Sequence, residues 1–435
     1  MTAITVHIFA FDYNNSHALQ TLFNNHLSRY DDEDSKKNQY KDKLNLSGYN
    51  RMMRLITQTT DLEIALAALR PSDFVTVDTE FIRETTFWPQ LCLIQLASPD
   101  VTMLIDPMAQ DMDLKPFFDL MVDEKIVKVF HAARQDIEII YHLGGVIPYP
   151  LFDTQIAGSI CGFGDSISYD QIVQRCTGHQ LDKSSRFTDW SCRPLSEKQL
   201  LYALADVTYL RDIYLLLKKQ LEKNKRMHWM DDEITTLSTP KTYDIPENEA
   251  WKKVKGKIKK PREFAVLQKI AAWREREARR YNVPRRHIMK DECLIEIAIQ
   301  QPKDESALNR LRNLNKNWDK LSIAQTLIKT IHEGLEVDIA TLPAVPKHNL
   351  LNDTKTAAID LLKVLLKLVA NENGIAPKII ATSHDLEKIA NGCIKQDIPA
   401  MNGWRYEIFG QKAEQMLKGK IGFYFRNGKI ITKQL

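Results

Sequence analysis

The chain has 435 residues, 44% of them hydrophobic, and a formal net charge of +4. This length predicts roughly two to four domains, and the absence of any run of about 18 apolar residues excludes a transmembrane helix. The six cysteines are widely spaced without a CxxC pair, which argues against a zinc site and a disulfide framework and predicts a reducing, cytoplasmic environment.

Residues 1–52 are predicted to form an extension outside the fold. They begin with MTAITVHIFAFDY, which lacks the basic leader of a signal peptide, and continue with the polar stretch YDDEDSKKNQYKDK, which cannot build a core. Clear periodicity begins only at MMRLITQTTDLEIALAAL, so we expect Met52 or Met53 to be the native start. Thr60 or Asp61 is the predicted cap of the first helix.

Residues 53–225 are predicted to form an α/β domain. Apolar runs predict strands, at 74–79, 91–97, 101–105 and 127–130. A period of 3.6 residues predicts helices, at 112–122, 133–143 and 196–222. Three strands in succession, followed by strands that alternate with helices, indicate a sheet covered by helices on both sides.

The remainder is predicted to be mainly helical after a linker at 226–250, which contains STPKTYDIPENEAW. When the sequence is shifted by 92 residues, VPRRHIMKDECLIEIA aligns with IAPKIIATSHDLEKIA. This weak repeat predicts two small helical domains, at 251–336 and 353–435, with a linker at 337–352 between them. Chance similarity between two amphipathic helices is the alternative.

Residues 251–290 hold fifteen Lys or Arg residues and only three Asp or Glu residues, an excess of twelve positive charges. A solvated helix face is the ordinary interpretation of such a charge run. The alternative is a surface that binds the phosphates of a polyanionic ligand.

Two carboxylates interrupt the apolar strand FVTVDTEFI. Asp78 and Glu80 are two residues apart, so they point to the same face of the strand. The DxE pattern alone is weak, since it recurs on surface segments such as 231/233. Two neighbouring carboxylates without a counter-charge would have raised pKa values, and a bound cation would remove that cost.

Two later segments add further candidates. In VKVFHAARQDIEII a short strand runs into His131 and a helix with Asp136, which is either a ligand or an acid stabilised by the helix dipole. In LLYALADVTYL, Tyr202 and Asp206 are four residues apart and so lie on one helix face. They are either a functional pair or a half-buried tyrosine beside a capping or surface acid.

Together these side chains predict a metal site. Four hard oxygen donors suit Mg²⁺ or Mn²⁺ rather than zinc. Two such ions about 4 Å apart would clamp an in-line phosphoryl displacement. Tyr202 should stay protonated near neutral pH, which suits it to orienting a water molecule rather than to deprotonating one.

These motifs resemble those of a known superfamily. DTE, HAARQD and YALAD are similar to the three motifs of the four-acidic-residue (DEDD) 3′–5′ exonucleases, which have an RNase H-like fold. Leu201 stands where the histidine branch has its His, so the resemblance is to the tyrosine branch. FWPQLCLIQLA and DWSCRPLSEKQLLYALADV resemble the ribonuclease D family in particular. WREREARRYNVPRRHIMKDECLIEIA resembles the helicase-and-RNase-D C-terminal (HRDC) domain.

The resemblance covers about residues 53–435 and implies an α/β RNase H-like domain followed by two all-α HRDC-type domains. It implies that Asp78, Glu80, Asp136 and Asp206 hold two divalent ions, Mg²⁺ or Mn²⁺. It also implies that Glu80 and Tyr202 are catalytic, with Tyr202 positioning the attacking water. The implied reaction is hydrolysis from an RNA 3′ end with release of 5′-nucleoside monophosphates.

Candidate RNA-binding residues flank the motifs or lie in the basic tail; they are His131, Lys183, Arg186, Arg193, Lys259, Lys260, Arg262, Arg285 and Arg286. Surface ion pairs are the alternative for the residues at 183–193, and packing is the alternative for His131. Phe81 and Trp88 are candidates for stacking on bases or for core packing, and Trp190 is assigned to the core. Asp153 is predicted to cap a helix.

The predicted function is 3′–5′ exoribonuclease trimming of precursor tRNAs with short 3′ trailers, in the cytoplasm, without a membrane or an obligate protein partner. A DNA 3′–5′ exonuclease and a non-catalytic RNA-binding module are the alternatives. Deleting residues 250–435 is expected to weaken RNA binding and to spare chemistry on short oligomers.

Overall fold

The structure, a computed structural model, describes residues 55–314, 322–342 and 353–435. The extension predicted at 1–52 and most of the linker predicted at 337–352 lie outside these residues. Among the described helices, none combines the length and the apolar composition that crossing a bilayer would require.

Within the described residues, six strands form one mixed sheet in the α/β domain. They are β1 (Leu55–Ile56), β2 (Phe74–Ile82), β3 (Gln90–Ala97), β4 (Thr102–Ile105), β5 (Val127–Phe130) and β6 (Leu151–Asp153). The order across the sheet is β1-β4-β3-β2-β5-β6. β3 is antiparallel to β2 and β4, whereas β5 is parallel to β2 and β6. The four strands predicted from the sequence are confirmed, and β2 lies at the centre of the sheet.

Six helices belong to the same domain within the part of the chain that the structure describes. They are α1 (Thr59–Leu69), α2 (Lys115–Met121), α3 (Arg134–Gly144), α4 (Thr154–Ile160), α5 (Tyr169–Thr177) and α6 (Glu197–Lys223). The cap of α1 is Gln58, without a side-chain hydrogen bond, rather than the predicted Thr60 or Asp61.

Because strand side chains alternate, β2 contributes to two separate cores. Val75 and Val77 pack with apolar residues of α1, α2 and α3 on one face of the sheet. Phe74 packs with α4, α5 and α6 on the other face. The sheet is therefore covered on both sides, as the sequence predicts, and the end of β2 lies between α3 and α6.

The segment predicted as a linker at 226–250 is largely ordered in short helical turns. It contains α7 (Asp231–Leu237) and three 3₁₀ turns, at Met227–Met230, Pro240–Thr242 and Glu247–Lys253. Trp229, Met230 and Tyr243 are buried against the α/β domain. Its Pro, Ser and Thr content indicated turns correctly, but this segment packs on the core as part of the fold.

The tail contains two successive helical regions. The first has α8 (Pro261–Arg280), α9 (Arg285–Ile288), α10 (Asp291–Gln300), α11 (Glu305–Leu308) and α12 (Ser322–Glu336), followed by a 3₁₀ turn, Ile339–Thr341. The second has α13 (Asp353–Asn373), α14 (Pro377–Ile380), α15 (Ser383–Ala390), α16 (Gly403–Arg405) and α17 (Gln411–Leu417). It also has 3₁₀ turns, Lys395–Asp397 and Pro399–Met401, and one π-helical turn, Tyr406–Gly410.

The repeat of 92 residues is visible in the positions of these helices. α8, α9 and α10 begin at residues 261, 285 and 291, and α13, α14 and α15 begin at 353, 377 and 383. Each of the three helices thus recurs 92 residues later, so chance similarity of two amphipathic helices is no longer needed to explain the sequence pattern.

The second region is not all-α, contrary to the sequence-based expectation. The chain ends in an antiparallel hairpin of β7 (Ile421–Arg426) and β8 (Lys429–Gln434). Asn427 and Gly428 both have positive φ, at 50° and 73°, which the two-residue turn of a twisted hairpin requires. The NG dipeptide between alternating apolar residues was therefore a hairpin signal that the helical interpretation overlooked.

Candidate active site

Asp78 and Glu80 project from β2 towards α6. They share a face with Thr76, whose hydroxyl lies 2.8 Å from the carbonyl oxygen of Val207 on α6. The strand register shifts between Glu80 and Phe81, where β2 pairs with β3, and such a bulge redirects the side chains beside it. The strand thus carries both acids towards α6, and just after Glu80 its pairing with β3 shifts by one residue before it continues to Ile82.

Asp206 approaches the same point from α6. This helix has a capping box, in which Ser196 and Gln199 satisfy each other's backbone N–H groups. One carboxylate oxygen from each of Asp78, Glu80 and Asp206 lies within 4.8 Å of the others. Asp206, which follows Glu80 by 126 positions in the chain, therefore joins the two strand acids in one acidic cluster.

Asp136 lies beside this cluster on the opposite face of β2. Thr79 points to that face, and its hydroxyl donates a hydrogen bond of 2.5 Å to Asp136 Oδ1. Asp136 is not one of the three residues within 4.8 Å, but its charge raises the pKa of Glu80. The structure therefore brings three of the predicted acids into direct proximity and holds the fourth next to them through Thr79.

Asp153 caps α4, as the sequence predicts, and it also holds the turn before α3, the helix that carries Asp136. The buried carboxylate of Asp153 accepts from Gln155 N at 2.7 Å at the start of α4. It also accepts from Ala133 N at 2.8 Å and from Ala132 N at 3.2 Å, just before α3. Ala132 has φ of 60°, a conformation unusual for a residue other than glycine. Asp153 thus fixes the turn that aims α3 at the cluster.

Burial is the main cause of raised pKa values at all four acids. It raises the pKa of Asp206 to about 8 and that of Glu80 to about 10, and for Glu80 the charges of Asp78, Asp206 and Asp136 add to the effect. The pKa of Asp78 is raised by burial and then by Asp206, and that of Asp136 by burial and then by Asp78. The cluster is thus costly when fully ionised.

These residues fit divalent cations. The donors are carboxylate oxygens, and within the described part of the chain no His or Cys belongs to the cluster. Hard oxygen donors suit Mg²⁺ or Mn²⁺, and bound cations would offset both the burial and the mutual repulsion that raise the pKa values.

Tyr202 lies one helical turn before Asp206. It makes a side-chain hydrogen bond to Asp206, which lowers the pKa of that acid against the effect of burial. Burial and then the charges of Asp206, Glu80 and Asp78 raise the pKa of Tyr202 itself. The ring lies beside buried Trp190, with centroids 6.0 Å apart, so Trp190 is in the core as predicted.

Arg186 is the predicted RNA-binding residue whose charge reaches the cluster. It lowers the pKa values of Glu80, Asp206 and Tyr202 against the effect of burial. The neighbouring Phe187 is 90% exposed, and the Arg186 guanidinium lies 5.3 Å from its ring centroid. Sequence reasoning did not identify Phe187, because a phenylalanine in RFTDW reads as a core residue.

Three other predicted RNA contacts in this domain have protein partners. Arg193 forms a bidentate pair with Asp106, at 2.7 Å for both contacts, and also donates to three backbone carbonyls. The nitrogens of His131 lie 3.0 Å from Thr154 Oγ1 and 3.1 Å from the Ile167 carbonyl oxygen. These contacts engage Arg193 and His131 within the protein, as the ion-pair and packing alternatives describe, and their role in RNA binding stays a prediction. Lys183 pairs with Asp170 at 2.6 Å but stays half exposed.

In the basic tail, two of the predicted RNA-binding residues also have partners within the protein. Arg285 forms a bidentate pair with buried Glu275 and lies over the ring of Phe87, at 4.6 Å from its centroid. Arg262 donates to the carbonyls of Leu335 and Val337, both at 2.6 Å. We therefore interpret Arg262 and Arg285 as structural residues, because their guanidinium groups are used inside the protein.

Lys259, Lys260 and Arg286 remain exposed. Lys260 contacts Glu263 at 3.2 Å, whereas Lys259 and Arg286 have no ion pair among the described residues. Trp88, a stacking candidate, already stacks on His142 with centroids 4.0 Å apart, and Phe81 packs against the core. For both aromatic residues the packing alternative describes the structure better than an exposed stacking role.

Comparisons with known proteins agree with this geometry. Residues 53–222 match the model of a 3′-5′ exonuclease family, and residues 263–324 match the model of the HRDC domain. The HRDC match covers the first helical region only, so the assignment of 353–435 as a second HRDC-type domain stays a prediction.

Similar complete proteins extend the likeness to most of the chain. Ribonuclease D of Bartonella henselae is 87% identical over 400 residues, which cover 92% of this chain and 98% of that protein. Ribonuclease D of Nitrobacter hamburgensis is 45% identical over 380 residues, which cover 87% and 99%. The crystal structure of Escherichia coli RNase D superposes with a TM-score of 0.75 at 27% identity, covering 84% of this chain and 99% of that one. With the acidic cluster at the expected place in the sheet, the chain belongs to the ribonuclease D family of 3′–5′ exonucleases.

Proposed function

We propose that this nuclease is a metal-dependent 3′–5′ exoribonuclease that trims the 3′ ends of precursor tRNAs and releases 5′-nucleoside monophosphates. The convergence of Asp78, Glu80 and Asp206 within 4.8 Å, with Asp136 held beside them, carries the proposal. The E. coli relative is described as an exoribonuclease involved in structured RNA processing, which supports an RNA substrate here.

The four carboxylates are proposed to hold two divalent ions, Mg²⁺ or Mn²⁺. Bound there, the ions supply an activated water and neutralise charge on the departing 3′-oxygen. Asp78 would help to hold the ions together with Asp206 and Asp136, because it interacts electrostatically with both acids. Glu80 lies on the same face as Asp78 and would offer a further carboxylate oxygen next to Asp206.

Tyr202 is proposed to orient the attacking water. Its raised pKa keeps the phenol protonated at neutral pH, so it can donate a hydrogen bond but does not act as a base. Its hydrogen bond to Asp206 fixes the ring next to a carboxylate of the cluster. We therefore propose that the Tyr202 hydroxyl orients the attacking water beside Asp206 and does not remove its proton.

Arg186 and Phe187 are proposed to hold the 3′ end of the RNA. They protrude between buried Ser185 and buried Trp190, so the loop that carries them is anchored on both sides. Arg186 is the cation next to the cluster and would contact the scissile phosphate. Phe187 offers an exposed ring face for an unpaired base, an interaction worth about 1–3 kcal/mol.

A cytoplasmic location is part of this proposal. All six cysteines carry free thiols, four of them shielded from solvent at least in part. Unpaired thiols are usual in a reducing compartment.

A single assay tests the activity. RNA labelled at its 3′ end, and DNA of the same sequence, are incubated with the full chain in Mg²⁺, Mn²⁺ or EDTA. We expect the label to be released from RNA as a 5′-nucleoside monophosphate in either metal and not in EDTA. The Asp206→Asn variant should be inactive, whereas Asp212→Asn, an exposed change on the same helix, is the matched control and should remain active.

Equal digestion in EDTA would refute the metal-dependent mechanism, and equal activity of the Asp206→Asn variant would refute the site. Preferential digestion of the DNA would replace the RNA substrate with DNA. Retained RNA binding without any hydrolysis would favour a non-catalytic RNA-binding module.

A further inference from the structure

The C-terminal hairpin presents one face entirely to solvent apart from a glycine. In an antiparallel pair, residues directly opposite each other share a face. Gly422 pairs with Lys433, Tyr424 with Ile431, and Arg426 with Lys429. We name this set the hairpin face; all of its side chains are exposed.

The opposite face of the hairpin attaches it to the fold. Ile421 is buried, and Phe423 packs against the core that the second helical region shares with the α/β domain. The hairpin is therefore a fixed element, and its exposed face has a defined geometry.

The hairpin face is strongly positive. Arg426, Lys429 and Lys433 form no ion pair with any described residue. Residues 418–435 contain five Lys or Arg residues and no Asp or Glu. Three cations and an exposed tyrosine ring on one rigid surface match a strand of phosphates with unpaired bases.

This surface differs from the basic segment that the sequence first indicated. There, Arg262 and Arg285 are engaged with protein groups, so the excess charge at 251–290 overstates the cations that a ligand can reach. We propose that the hairpin face is a second binding site for the substrate, which contacts a single-stranded segment of the RNA away from its 3′ end. The choice of RNA as the polymer rests on the proposed function.

Charge also argues against a second copy of the chain as the occupant. Lys and Arg on an exposed two-stranded sheet oppose edge-to-edge pairing of identical chains. Two copies of this face would bring six positive charges together without an acid on either hairpin. A polyanion removes that repulsion.

The test measures binding of a fluorescent oligouridylate to the full chain in EDTA, over about 50 to 200 mM salt. Tyr424→Ala should weaken binding about 5- to 150-fold. The triple variant Arg426→Ala, Lys429→Ala, Lys433→Ala should lower the slope of log K against log salt by about 2, because each phosphate contact to a single strand contributes about 0.7.

The matched control removes the same charge elsewhere, as Lys125→Ala, Lys219→Ala, Lys223→Ala, at three exposed lysines of the α/β domain. It should retain affinity and slope, and Arg426→Lys should bind like the parent chain. Turnover of a trinucleotide, too short to reach a second site, should be the same in all variants. A shared melting temperature would show that the hairpin variants fold.

Unchanged affinity and slope in the hairpin variants would overturn the proposal, and so would an equal loss in the control triple. If light scattering shows that the hairpin variants change the oligomeric state while RNA affinity is constant, the face pairs copies of the chain instead. An enzyme that binds through the hairpin but hydrolyses only DNA would leave the site in place and refute the proposed function.

Discussion

Trp229 stacks face to face on Trp404, with ring centroids 4.2 Å apart and an interplanar angle of 4°. Trp229 follows the long helix of the α/β domain, whereas Trp404 lies in the second helical region. Next to it, Arg405 is 3% exposed and donates to Asp232 at 2.5 Å and to Glu233 at 2.7 Å. The two parts of the chain therefore share one core and are not independent modules.

Trp404→Ala is expected to lower the free energy of unfolding by about 3–5 kcal/mol, because it leaves a cavity and exposes the face of Trp229. Urea denaturation followed by circular dichroism measures this change. Phe425→Ala, at a ring that is 78% exposed, is the matched control and should change stability by less than about 0.5 kcal/mol. Equal stability of the Trp404 variant would contradict the shared core.

This contact also revises the expectation that a chain without residues 250–435 would keep its chemistry on short oligomers. Such a deletion would expose the apolar surface that the α/β domain buries against the second region. We now expect it to produce an unstable or aggregated protein rather than a working catalytic fragment.

The acids were predictable because each lies within a local pattern. Asp78 and Glu80 share a strand face, and Tyr202 and Asp206 share a helix face, so two residue spacings were enough to pair them. The proximity of Asp136 followed from the strand-to-helix turn before it. The residue spacing did not predict the role of Thr79, whose hydroxyl links Asp136 to the strand.

The partners of surface cations were not predictable, because they come from distant parts of the chain. Asp106 is 87 residues from Arg193, and Asp232 is 173 residues from Arg405. A sequence shows that a Lys or Arg side chain is present. Only the fold shows whether that side chain already pairs with an acid or donates to a carbonyl within the protein. For this reason the partners of the RNA-binding candidates could not be predicted, whereas the convergence of the acids could.

Stability of the metal-free protein should fall as pH rises. The folded chain holds protons on Asp206 up to about pH 8, whereas an unfolded carboxyl group releases them near pH 4. Between about pH 4 and pH 8 the folded state therefore binds more protons than the unfolded state. For each such proton, the free energy of unfolding falls by up to about 1.4 kcal/mol per pH unit. Mg²⁺ should restore stability, more strongly at pH 7.5 than at pH 5.5, as it replaces those protons.

Thermal unfolding in EDTA and in Mg²⁺ at several pH values measures this effect. Asp206→Asn should flatten the pH dependence in EDTA and reduce the gain from Mg²⁺. Asp100→Asn, on an exposed turn outside the cluster, is the control and should behave like the parent chain. A metal-free protein that becomes more stable from pH 5.5 to 7.5 would contradict the assignment.

Tyr202→Phe should lower kcat about 10–100-fold, because the hydroxyl that contacts Asp206, and that we propose orients the water, is lost while the ring remains. RNA affinity in EDTA should be unchanged. Tyr214→Phe, about three turns further along the same helix, is the matched control. Full activity of the Tyr202 variant would remove the phenol from the mechanism.

Asp153→Ala should impair catalysis through position rather than contact. It removes a helix cap, worth about 0.5–2 kcal/mol, and leaves Ala132 and Ala133 N–H groups without their acceptor. Asp136 would then shift, so metal affinity should fall about 10–100-fold and activity should recover at high Mg²⁺. Asp304→Ala, which removes a similar cap from a tail helix, controls for stability alone. Loss of activity that excess metal does not restore would indicate unfolding instead.

Phe187→Ala should raise KM for RNA about 5- to 150-fold with little change in kcat, because an exposed ring that stacks on a terminal base contributes binding and not chemistry. Phe187→Trp should keep the parent KM, since a larger ring still offers a stacking face. The control is Ile64→Ala, which removes another mostly exposed apolar side chain, on α1. It should leave KM and kcat unchanged. A selective fall in kcat would instead place the ring against the scissile bond, and equal kinetics in the alanine variant would show that the exposed phenylalanine does not contact substrate.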